Sequence, residues 1–448
     1  MKANTDQKVL IVGLGKTGLS CARFLSEQGL SVAITDSRET PPGLEQLREE
    51  LPDTALFLGG FDEAAFQAAD LLVVSPGVSI RHPLISEASR RGIEIIGDIE
   101  LFARHVNAPV AAITGSNGKS TVTTLLGQMA AQAGRKVRVG GNLGEPALDI
   151  LDPEADLYVL ELSSFQLETT FALTPDAAVV LNVSADHLDR YASIDEYANA
   201  KATLYWRARY RILNRDDAMV MAMPQGDGDD LFFTLGEPGE KTFGLRQLDS
   251  GLWIGYEEQN LLPVAAVKIP GRHNLANAMA ALALGMALEL PMSAMLQALG
   301  EFRGLPHRTE FVAEHNGVCW YNDSKGTNVG ASIAALNGFL SDDDSRTVLI
   351  AGGQAKGADF SALTPVVEAS ARAVVLIGEA AGLIETQLGG VVPVVHAASM
   401  DEAVARAAEL ARAGDRVLLS PACASFDMFR NYEHRGEMFI AAVQGLTQ

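Results

Sequence analysis

The sequence predicts an α/β protein built from three domains. Its 448 residues exceed what a single hydrophobic core usually supports. Short apolar runs of strand character alternate with helical patterns along most of the chain, which is typical of sheets covered by helices. Two of these runs lead into glycine-rich loops that open helices, an arrangement that holds phosphate groups. We place the boundaries at residues 97 and 304, which predicts domains 1–97, 98–304 and 305–448.

The composition narrows the class of protein. A formal net charge of −21 disfavours a nucleic-acid groove or an anionic membrane surface as the partner. The three cysteines lie far apart, without the paired spacing of zinc sites or disulfides; they are Cys21, Cys319 and Cys423. Residues 1–6 lead straight into a strand, so we predict no signal peptide, and no apolar run approaches the roughly 20 residues of a membrane helix. We therefore expect a cytoplasmic, monomeric enzyme acting on small molecules.

The first domain begins with a nucleotide-binding pattern. Residues 8–13 are typical of a buried strand and open into the G-x-G-x-x-G of residues 13–18. A second strand ends at Asp36, and an acidic residue about 20 positions after the glycines completes a dinucleotide fingerprint. A later strand runs into Ser75-Pro76-Gly77 at its carboxyl end, where ligands of such sheets lie. We predict a Rossmann-like domain, and the pattern alone fits NAD(P) or any other nucleotide pyrophosphate.

The second domain contains a shortened phosphate loop. The apolar run 110–114 enters Gly115-Ser116-Asn117-Gly118, and a helix leaves from Lys119 and Ser120. The longer consensus would place a glycine at position 113, where this chain has Ile113. Loop amides and the helix N-terminus favour an anion, Lys119 can reach the outer phosphates, and the Ser120 hydroxyl can ligate Mg²⁺. The loop predicts a P-loop ATPase-like domain that binds ATP and Mg²⁺.

Other polar residues follow neighbouring strands of this domain. Glu161 ends an apolar strand, where a carboxylate is costly to bury unless it is paired or metal-bound, so we expect it to share the Mg²⁺. His187 follows the next strand and Lys201 lies on the helix after it. Residues 215–268 predict a small β-rich part. Asn274 and Asn277 lie three apart on one helix face, which suits either recognition of a base or capping of the helix.

The third domain again alternates strands and helices, which predicts a further parallel sheet of Rossmann-like type. Polar residues concentrate in its loops, and we interpret them as binding surface. These loops are His307-Arg308, 323–328, 356–359 and 425–427.

Taken together, these motifs resemble those of the Mur ligases of bacterial peptidoglycan synthesis, over essentially the whole chain. The matching segments are 13–20, 114–121, 160–168, 186–191, His273-Asn274 with Asn277, 306–308, 322–328 and 420–427. The phosphate loop, His-Asn-x-x-Asn and Asp-Ser-Lys are shared across the superfamily, in part with folylpolyglutamate synthase. The first motif and Ser163-Ser164-Phe165-Gln166-Leu167 are similar to those of the member that adds D-glutamate.

The resemblance implies an activity and a set of site residues. In this family the first domain holds the UDP part of a sugar-peptide substrate, and ATP drives its ligation to an amino acid through an acyl phosphate. The implied UDP-substrate contacts are Leu14, Gly15, Lys16, Thr17, Asp36, Ser37, Arg38, Ser75, Pro76, Gly77, Asn142 and His187. The implied ATP contacts are Gly115, Ser116, Asn117, Gly118, Lys119, Ser120, Thr121, Asn274, Asn277, Arg308 and Asp323. Thr327, Lys356, Ser425 and Tyr432 match positions that hold D-glutamate.

The resemblance also implies the catalytic and metal-binding groups. Lys119, Glu161, His187 and Lys201 would be catalytic. Ser120 and Glu161 would hold one Mg²⁺, and a second would use His187 and Lys201 as a carbamate, since CO₂ converts the repelling cation into an anionic oxygen ligand. Because ATP and D-glutamate contacts lie on different domains, we expect the third domain to close over the second. The alternatives are another amino-acid ligase of the family or an NAD(P)-dependent dehydrogenase.

Overall fold

The computed structural model describes residues 7–186, 190–223, 227–269, 271–339 and 345–446. Within these residues the strands form three sheets of five, nine and six strands, one after another along the chain. Helices cover the sheets, which confirms the predicted α/β class. Among the described helices, none is both long and apolar enough to cross a bilayer.

The first sheet is parallel throughout, in the order β3-β2-β1-β4-β5. Its buried centre is β1, whose Val9 to Val12 are apolar on both faces and packed beneath helices. The strands are β1 (Lys8–Val12), β2 (Ser31–Asp36), β3 (Ala55–Leu58), β4 (Leu71–Val74) and β5 (Glu94–Ile96). The helices are α1 (Lys16–Glu27), α2 (Leu44–Glu50), α3 (Glu63–Ala68), α4 (Pro83–Arg90) and α5 (Asp98–Ala103).

The central sheet has the order β14-β13-β12-β11-β10-β9-β6-β8-β7. Its strands are β6 (Val110–Thr114), β7 (Val137–Gly141), β8 (Leu157–Glu161), β9 (Ala177–Val180), β10 (Tyr210–Asn214), β11 (Asp229–Phe233), β12 (Thr242–Leu248), β13 (Gly251–Tyr256) and β14 (Gln259–Pro263). Its helices are α6 (Lys119–Gln132), α7 (Ser164–Leu167), α8 (Ile194–Ala202), α9 (Ala218–Met221), α10 (Arg272–Ala287) and α11 (Met292–Glu301). The predicted β-rich part extends this same sheet: β11 and β12 add in parallel, then β13 and β14 add as antiparallel hairpins.

The third sheet has the order β15-β16-β20-β17-β18-β19. Its strands are β15 (Glu310–His315), β16 (Val318–Asn322), β17 (Thr347–Gly352), β18 (Ala371–Ile377), β19 (Val394–His396) and β20 (Arg416–Leu419). Its helices are α12 (Val329–Gly338), α13 (Thr364–Ser370), α14 (Ala381–Leu388), α15 (Met400–Leu410) and α16 (Tyr432–Gly445). The expected all-parallel sheet is wrong at one edge, because β15 runs antiparallel to β16. Asn316 and Gly317 both have positive φ there and form a tight hairpin turn.

The central topology gathers the predicted site at one edge. Strand β6 lies between β8 and β9 and is parallel to both, so their carboxyl ends meet. The phosphate loop follows β6, Glu161 ends β8, and Asn182 follows β9. Helix α6 starts from the same edge and is buried against α10 and the sheet.

Candidate active site

Two glycines in left-handed or extended positive-φ conformations shape the phosphate loop. Gly115 has φ +146 and Gly118 has φ +85, conformations that side chains disfavour. A Cβ at Gly118 would also lie 2.3 Å from Oδ1 of Asn277, so the loop packs tightly on α10. The backbone N–H of Asn117 donates to the Asn182 side chain at 2.9 Å, which fixes the loop against the end of β9. Asn182 and Asn277, which lie outside the loop, therefore fix its conformation at the start of α6.

Lys119 lies over this loop. Its Nζ donates to the carbonyls of Gly115 at 2.8 Å and Ser116 at 2.9 Å. Burial lowers the pKa of Lys119 from its ordinary value, and the nearby carboxylates of Glu161 and Asp186 oppose that change. The ammonium is thus placed beside the helix N-terminus, where an anion is favoured.

Glu161 presents a carboxylate oxygen that the described part of the chain leaves without a hydrogen bond. The residue is 3% exposed at the end of β8, and its Oε1 accepts from Nδ2 of Asn142 at 2.7 Å. Its Oε2 is buried and has no partner there. A buried carboxylate oxygen without a donor is costly, and a bound cation would remove that cost. The residues therefore fit a hard cation such as Mg²⁺, with the Ser120 hydroxyl as a second oxygen at the start of α6.

Lys201 lies behind the loop and is almost completely buried. Its Nζ donates to the Gly115 carbonyl at 3.0 Å and lies 4.4 Å from the centre of the Tyr197 ring. Burial and the neighbouring Lys119 charge lower the pKa of Lys201 well below its ordinary value. This shift raises the neutral, nucleophilic fraction of the amine above that of an exposed lysine. His187 lies outside the described residues, and among those that are described, no three His, Cys, Asp or Glu side chains converge as metal ligands.

A cavity of about 330 Å³ opens between α10 and the third domain. Asn274 and Asn277 lie on its wall, and Nδ2 of Asn277 donates to Oδ1 of Asn274 at 3.2 Å. Helix α10 has Gly271 at its N-cap, without a side-chain cap. Neither asparagine therefore caps α10, and recognition of a base stays a prediction for these two residues on the cavity wall.

Residues of the third domain reach the phosphate loop. Nη2 of Arg308 donates to the Ser120 hydroxyl at 2.7 Å, and Nδ2 of Asn328 donates to Asn117 at 3.3 Å and Asp186 at 3.2 Å. Asp323 is buried, and burial raises its pKa to about 6, although hydrogen bonds from Ser420 and Thr309 oppose that change. The third domain thus contacts the second through hydrogen bonds at the phosphate loop.

A larger cavity of about 630 Å³ continues from the phosphate loop into the third domain. Thr327 and Lys356 line it, and Lys356 is exposed with φ +49. Ser425 and Tyr432 are not on this wall: Ser425 is 2% exposed, and the Tyr432 ring lies 3.7 Å from Nζ of Lys325. Burial, with the nearby charge of Arg308, lowers the pKa of Lys325 to about 8.

A cavity of about 450 Å³ lies at the carboxyl end of the first sheet, and residues of the second domain complete its wall. The wall includes every predicted UDP-substrate residue in the described chain except Leu14: Gly15, Lys16, Thr17, Asp36, Ser37, Arg38, Ser75, Pro76, Gly77 and Asn142. The Leu14 side chain is fully buried, and its N–H donates to Asp36 at 2.7 Å. Burial opposes ionisation of Asp36, but hydrogen bonds from Arg38 and Leu14 outweigh it and keep the pKa below its ordinary value.

Asn142 connects the two sides of the site. It lines both the 450 Å³ cavity and the 630 Å³ cavity, and its amide holds Glu161. A ligand that extends from the 450 Å³ cavity past Asn142 would therefore reach Lys119 and Glu161. We call the Oε2 atom of Glu161, which has no hydrogen-bond partner among the described residues, the orphaned oxygen.

Sequence reasoning did not assign four polar residues that the structure brings to this site. They are Asn182, Asp186, Lys325 and Asn328. A signal existed for each: Asn182 directly follows a buried strand, and the others lie inside motifs already quoted. Their contacts are made across the chain, so spacing alone could not rank them.

Family models and relatives match the whole described architecture. The matching models are Mur ligase MurD-like, N-terminal domain at 7–97, Mur ligase middle domain at 113–285, and Mur ligase, glutamate ligase domain at 307–423. The UDP-N-acetylmuramoylalanine–D-glutamate ligase of Nitrosococcus oceani is 55% identical over 97% of this chain and 96% of its own. That of Marinobacter nauticus is 54% identical over 99% of both chains.

Solved structures share the fold at low sequence identity. The UDP-N-acetylmuramate-alanine ligase of Thermotoga maritima has a TM-score of 0.60 at 18% identity, over 98% of this chain and 99% of its own. The MurF ligase of the same organism, in complex with ADP, has a TM-score of 0.59 at 17% identity, over 100% and 97%. With full-length relatives above 50% identity and matching models in all three parts, the chain belongs to the Mur ligase family.

Proposed function

We propose that this protein is an ATP-dependent ligase that joins D-glutamate to UDP-N-acetylmuramoyl-L-alanine in cytoplasmic peptidoglycan precursor synthesis. The names of the relatives support this assignment. Residues 1–97 would bind the UDP-substrate, 98–304 would bind ATP, and 305–448 would bind D-glutamate. The carrying observation is that Lys119 and Glu161 both line the 630 Å³ cavity, which shares Asn142 with the wall of the 450 Å³ cavity.

The reaction needs an activated carboxyl group. A carboxylate does not react with an amine at neutral pH, because its carbonyl is unactivated and oxide is a poor leaving group. The terminal alanine carboxylate would attack the γ-phosphorus of ATP, ADP would leave, and an acyl phosphate would form. Lys119 and the loop amides would hold the phosphates in line and neutralise their charge. Asn142, on the wall shared by the cavities, would guide the alanine end toward this point.

Ser120, Glu161, His187 and Lys201 as a carbamate are the proposed Mg²⁺ ligands. Bound Mg²⁺ would stabilise charge on the phosphate oxygens by several kcal/mol. The low pKa and burial of Lys201 support the carbamate, since a neutral amine can add to CO₂ and release a proton. Arg308 donates to the Ser120 hydroxyl in this structure, so this hydrogen bond would have to give way to a metal ligand.

The second step would be attack by the amine of D-glutamate on the acyl carbon. A tetrahedral intermediate would form, its nitrogen would lose a proton to solvent, and phosphate would leave with the former carboxylate oxygen. Lys356 and Thr327 on the wall of the large cavity would hold the carboxylates of D-glutamate. Ser425 and Tyr432 lie off this wall, so we propose that they act after a local rearrangement or through Lys325, which lies over the Tyr432 ring.

Two other functions make different predictions. Another amino-acid ligase of the family would use the same phosphate loop with a different amino acid or acceptor. A dehydrogenase would use the first domain for NAD(P), and it would leave the Glu161 and Lys119 arrangement without a role.

A phosphate-release assay tests the assignment. UDP-N-acetylmuramoyl-L-alanine, ATP and Mg²⁺ would be offered with D-glutamate, L-glutamate, D-alanine or meso-diaminopimelate in separate reactions. We expect phosphate release above background with D-glutamate alone, and none when the UDP-substrate is omitted. Equal or faster release with another amino acid would replace this assignment with a different ligase of the family.

The pH dependence of ATP use should show two limbs. The raised pKa of Asp323, about 6, means that the carboxyl is protonated below pH 6 and is lost as an acceptor. The lowered pKa of Lys325, about 8, means that its positive charge is lost above pH 8. We expect kcat/KM for ATP to fall on both sides of this window, since it reports groups of the free enzyme. Asp323→Asn should remove the acid limb, and Lys325→Met the alkaline limb.

The contribution of Asp323 to the free energy of unfolding changes with pH in the opposite direction to its expected effect on kcat/KM. Because burial raises the folded-state pKa above the ordinary value of 3.8, its contribution to the free energy of unfolding is present at low pH and declines as pH rises from 3.8 to about 6. A fall in kcat/KM below pH 6 therefore cannot come from unfolding caused by this group. A profile that is flat from pH 5 to 9 would contradict both assignments.

A further inference from the structure

Arg308 is presented by a strained piece of backbone. His307 has φ +61 and Thr309 has φ +47, so a non-glycine residue in the left-handed region lies on each side of it. Such conformations persist only where surrounding contacts impose them, and they concentrate at functional sites. The contacts that hold this segment should therefore decide where the Arg308 guanidinium lies.

Three of those contacts are made by His307. Its N–H donates to Oε2 of Glu310 at 2.8 Å, and its carbonyl accepts from the N–H of Lys325 at 3.1 Å. Its ring nitrogen Nδ1 lies 2.8 Å from Nδ2 of Asn322. Oδ1 of Asn322 accepts from the N–H of Ser324, which fixes the amide so that Nδ2 points at the ring. Nδ1 must therefore accept, and the imidazole proton lies on Nε2.

Helix α16 leaves room for this ring at one position. Gly436 has an ordinary helical φ inside α16, where alanine is the better helix former. A Cβ there would lie 2.2 Å from Nδ1 of His307 and 3.0 Å from Nδ2 of Asn322. Because Gly436 has no side chain, α16 has a notch over the backbone of this residue. The His307 ring occupies this notch.

Arg435, the residue before Gly436, forms hydrogen bonds with the loop 323–325. Arg435 is fully buried, and it donates to the Ser324 hydroxyl at 3.0 Å, the Ser324 carbonyl at 2.8 Å and the Cys423 carbonyl at 3.1 Å. Ser324 lies between Asp323 and Lys325, which both line the cavity beside Arg308. The start of α16 therefore holds both parts of the third domain that face the phosphate loop.

We propose that His307, seated in the Gly436 notch, is a positioning residue that places Arg308 and the loop 323–325 for nucleotide binding. The inference rests on the proposed function in one respect, that the cavity beside Arg308 takes the phosphates of ATP. Occupation of the notch by the ring sets the backbone of 307–309, from which Arg308 reaches the Ser120 hydroxyl and Thr309 donates to Asp323 at 3.1 Å. Filling the notch displaces these groups together.

The first test compares two alanine substitutions in the same helix. Gly436→Ala fills the notch, whereas a Cβ at Gly445 meets nothing within 4 Å, so Gly445→Ala is the matched control. MgADP binding to the full chain is measured by calorimetry. We expect Gly436→Ala to weaken it about tenfold, the size of one lost charge-assisted hydrogen bond, and Gly445→Ala to leave it unchanged. The KM for ATP should rise with little change in the KM for the UDP-substrate, because no residue of the third domain lines the 450 Å³ cavity.

The second test uses His307 itself. His307→Gly tolerates the left-handed backbone but removes the ring, and it should weaken MgADP binding by a similar factor. His307→Asn retains an acceptor and a tolerance for positive φ, and it should restore most of the affinity. In the His307→Gly background, adding Gly436→Ala should cost much less, because the ring is gone and only the 3.0 Å approach to Nδ2 of Asn322 remains.

The two tests distinguish failure of the proposed role of His307 from failure of the proposed nucleotide site. Native-like MgADP affinity in Gly436→Ala or in His307→Gly would overturn the inference, as would equal losses from Gly436→Ala with and without the ring. If Gly436→Ala does not fold, the comparison of His307→Gly with His307→Asn decides alone. Failure of the native protein to bind MgADP would instead overturn the proposed nucleotide site.

Discussion

Lys201→Ala is expected to lower the ligase rate by about three orders of magnitude, because a lost metal-binding anion is worth several kcal/mol and each 1.36 kcal/mol is about tenfold. The buried amine, with its lowered pKa, is placed beside Gly115 where a carbamate would face the phosphate loop. Steady-state phosphate release, with both substrates saturating, measures the effect. Acetate or formate should partly restore the rate, since a small carboxylate can occupy the space that the side chain vacates.

The matched control is Lys136→Ala in the same domain. Lys136 is exposed and forms a surface pair with Glu154, so its removal should change activity little. Thermal unfolding of Lys201→Ala would show whether the cavity itself destabilises the domain. A variant that folds and retains full activity would exclude the carbamate, and a rate that short carboxylates leave unchanged would count against an anionic role.

Glu161→Gln is expected to lower the rate by about 10²- to 10³-fold, in the range found for removal of one charge-stabilising group. The substitution keeps size and the acceptor that Asn142 requires but removes the negative charge of the orphaned oxygen. The Mg²⁺ concentration for half-maximal rate should rise as well. Titration of activity against Mg²⁺, with ATP held constant and saturating, measures both effects.

Glu154→Gln is the control for this substitution, because Glu154 is an exposed carboxylate of the same domain. Because Glu161 interacts with the nearby Lys119 charge and with Asn142, thermal unfolding of Glu161→Gln would show whether the lost charge also destabilises the domain. An unaltered Mg²⁺ dependence in a folded Glu161→Gln variant would contradict the proposed metal site, whatever its maximal rate.

The central part of the candidate site could be predicted from short sequence motifs. The phosphate loop could be predicted because the glycines, Lys119 and Ser120 act through adjacent backbone, so their spacing contains the geometry. Glu161 could be predicted because parallel strands of one sheet end at one edge, and β8 is indeed paired with β6.

Contacts between segments that are distant in the chain could not be predicted from the spacing of residues in a motif. Asn182 shapes the loop from 65 residues away, and Asn328 reaches Asn117 across 211 residues. The role of Asn274 and Asn277 stayed open in the sequence, because two amides on a helix look the same whether they cap it or face a cavity. The packing of α10 against the loop places both residues on a cavity wall, and what they bind there stays a prediction.

Fold predictions failed where turn chemistry was overlooked. The alternation of strands and helices correctly indicated α/β layers, but it also suggested that every strand of the third sheet would be parallel. Asn316-Gly317 is a strong hairpin signal, and both residues take the positive φ that a tight turn requires. Leu14 shows a related limit: its position in the glycine motif predicts a ligand contact, but it could not tell that the apolar side chain lies in the core, which leaves the backbone for such a contact.

The central claim is that the alanine carboxylate is phosphorylated before D-glutamate attacks it. The most direct measurement uses UDP-N-acetylmuramoyl-L-alanine labelled with ¹⁸O in that carboxylate, followed by mass analysis of the released phosphate. The account predicts that each phosphate carries one oxygen from the labelled carboxylate, because the P–O bond formed in the first step survives when the C–O bond breaks. Phosphate without label, released at the rate of ligation, would contradict it.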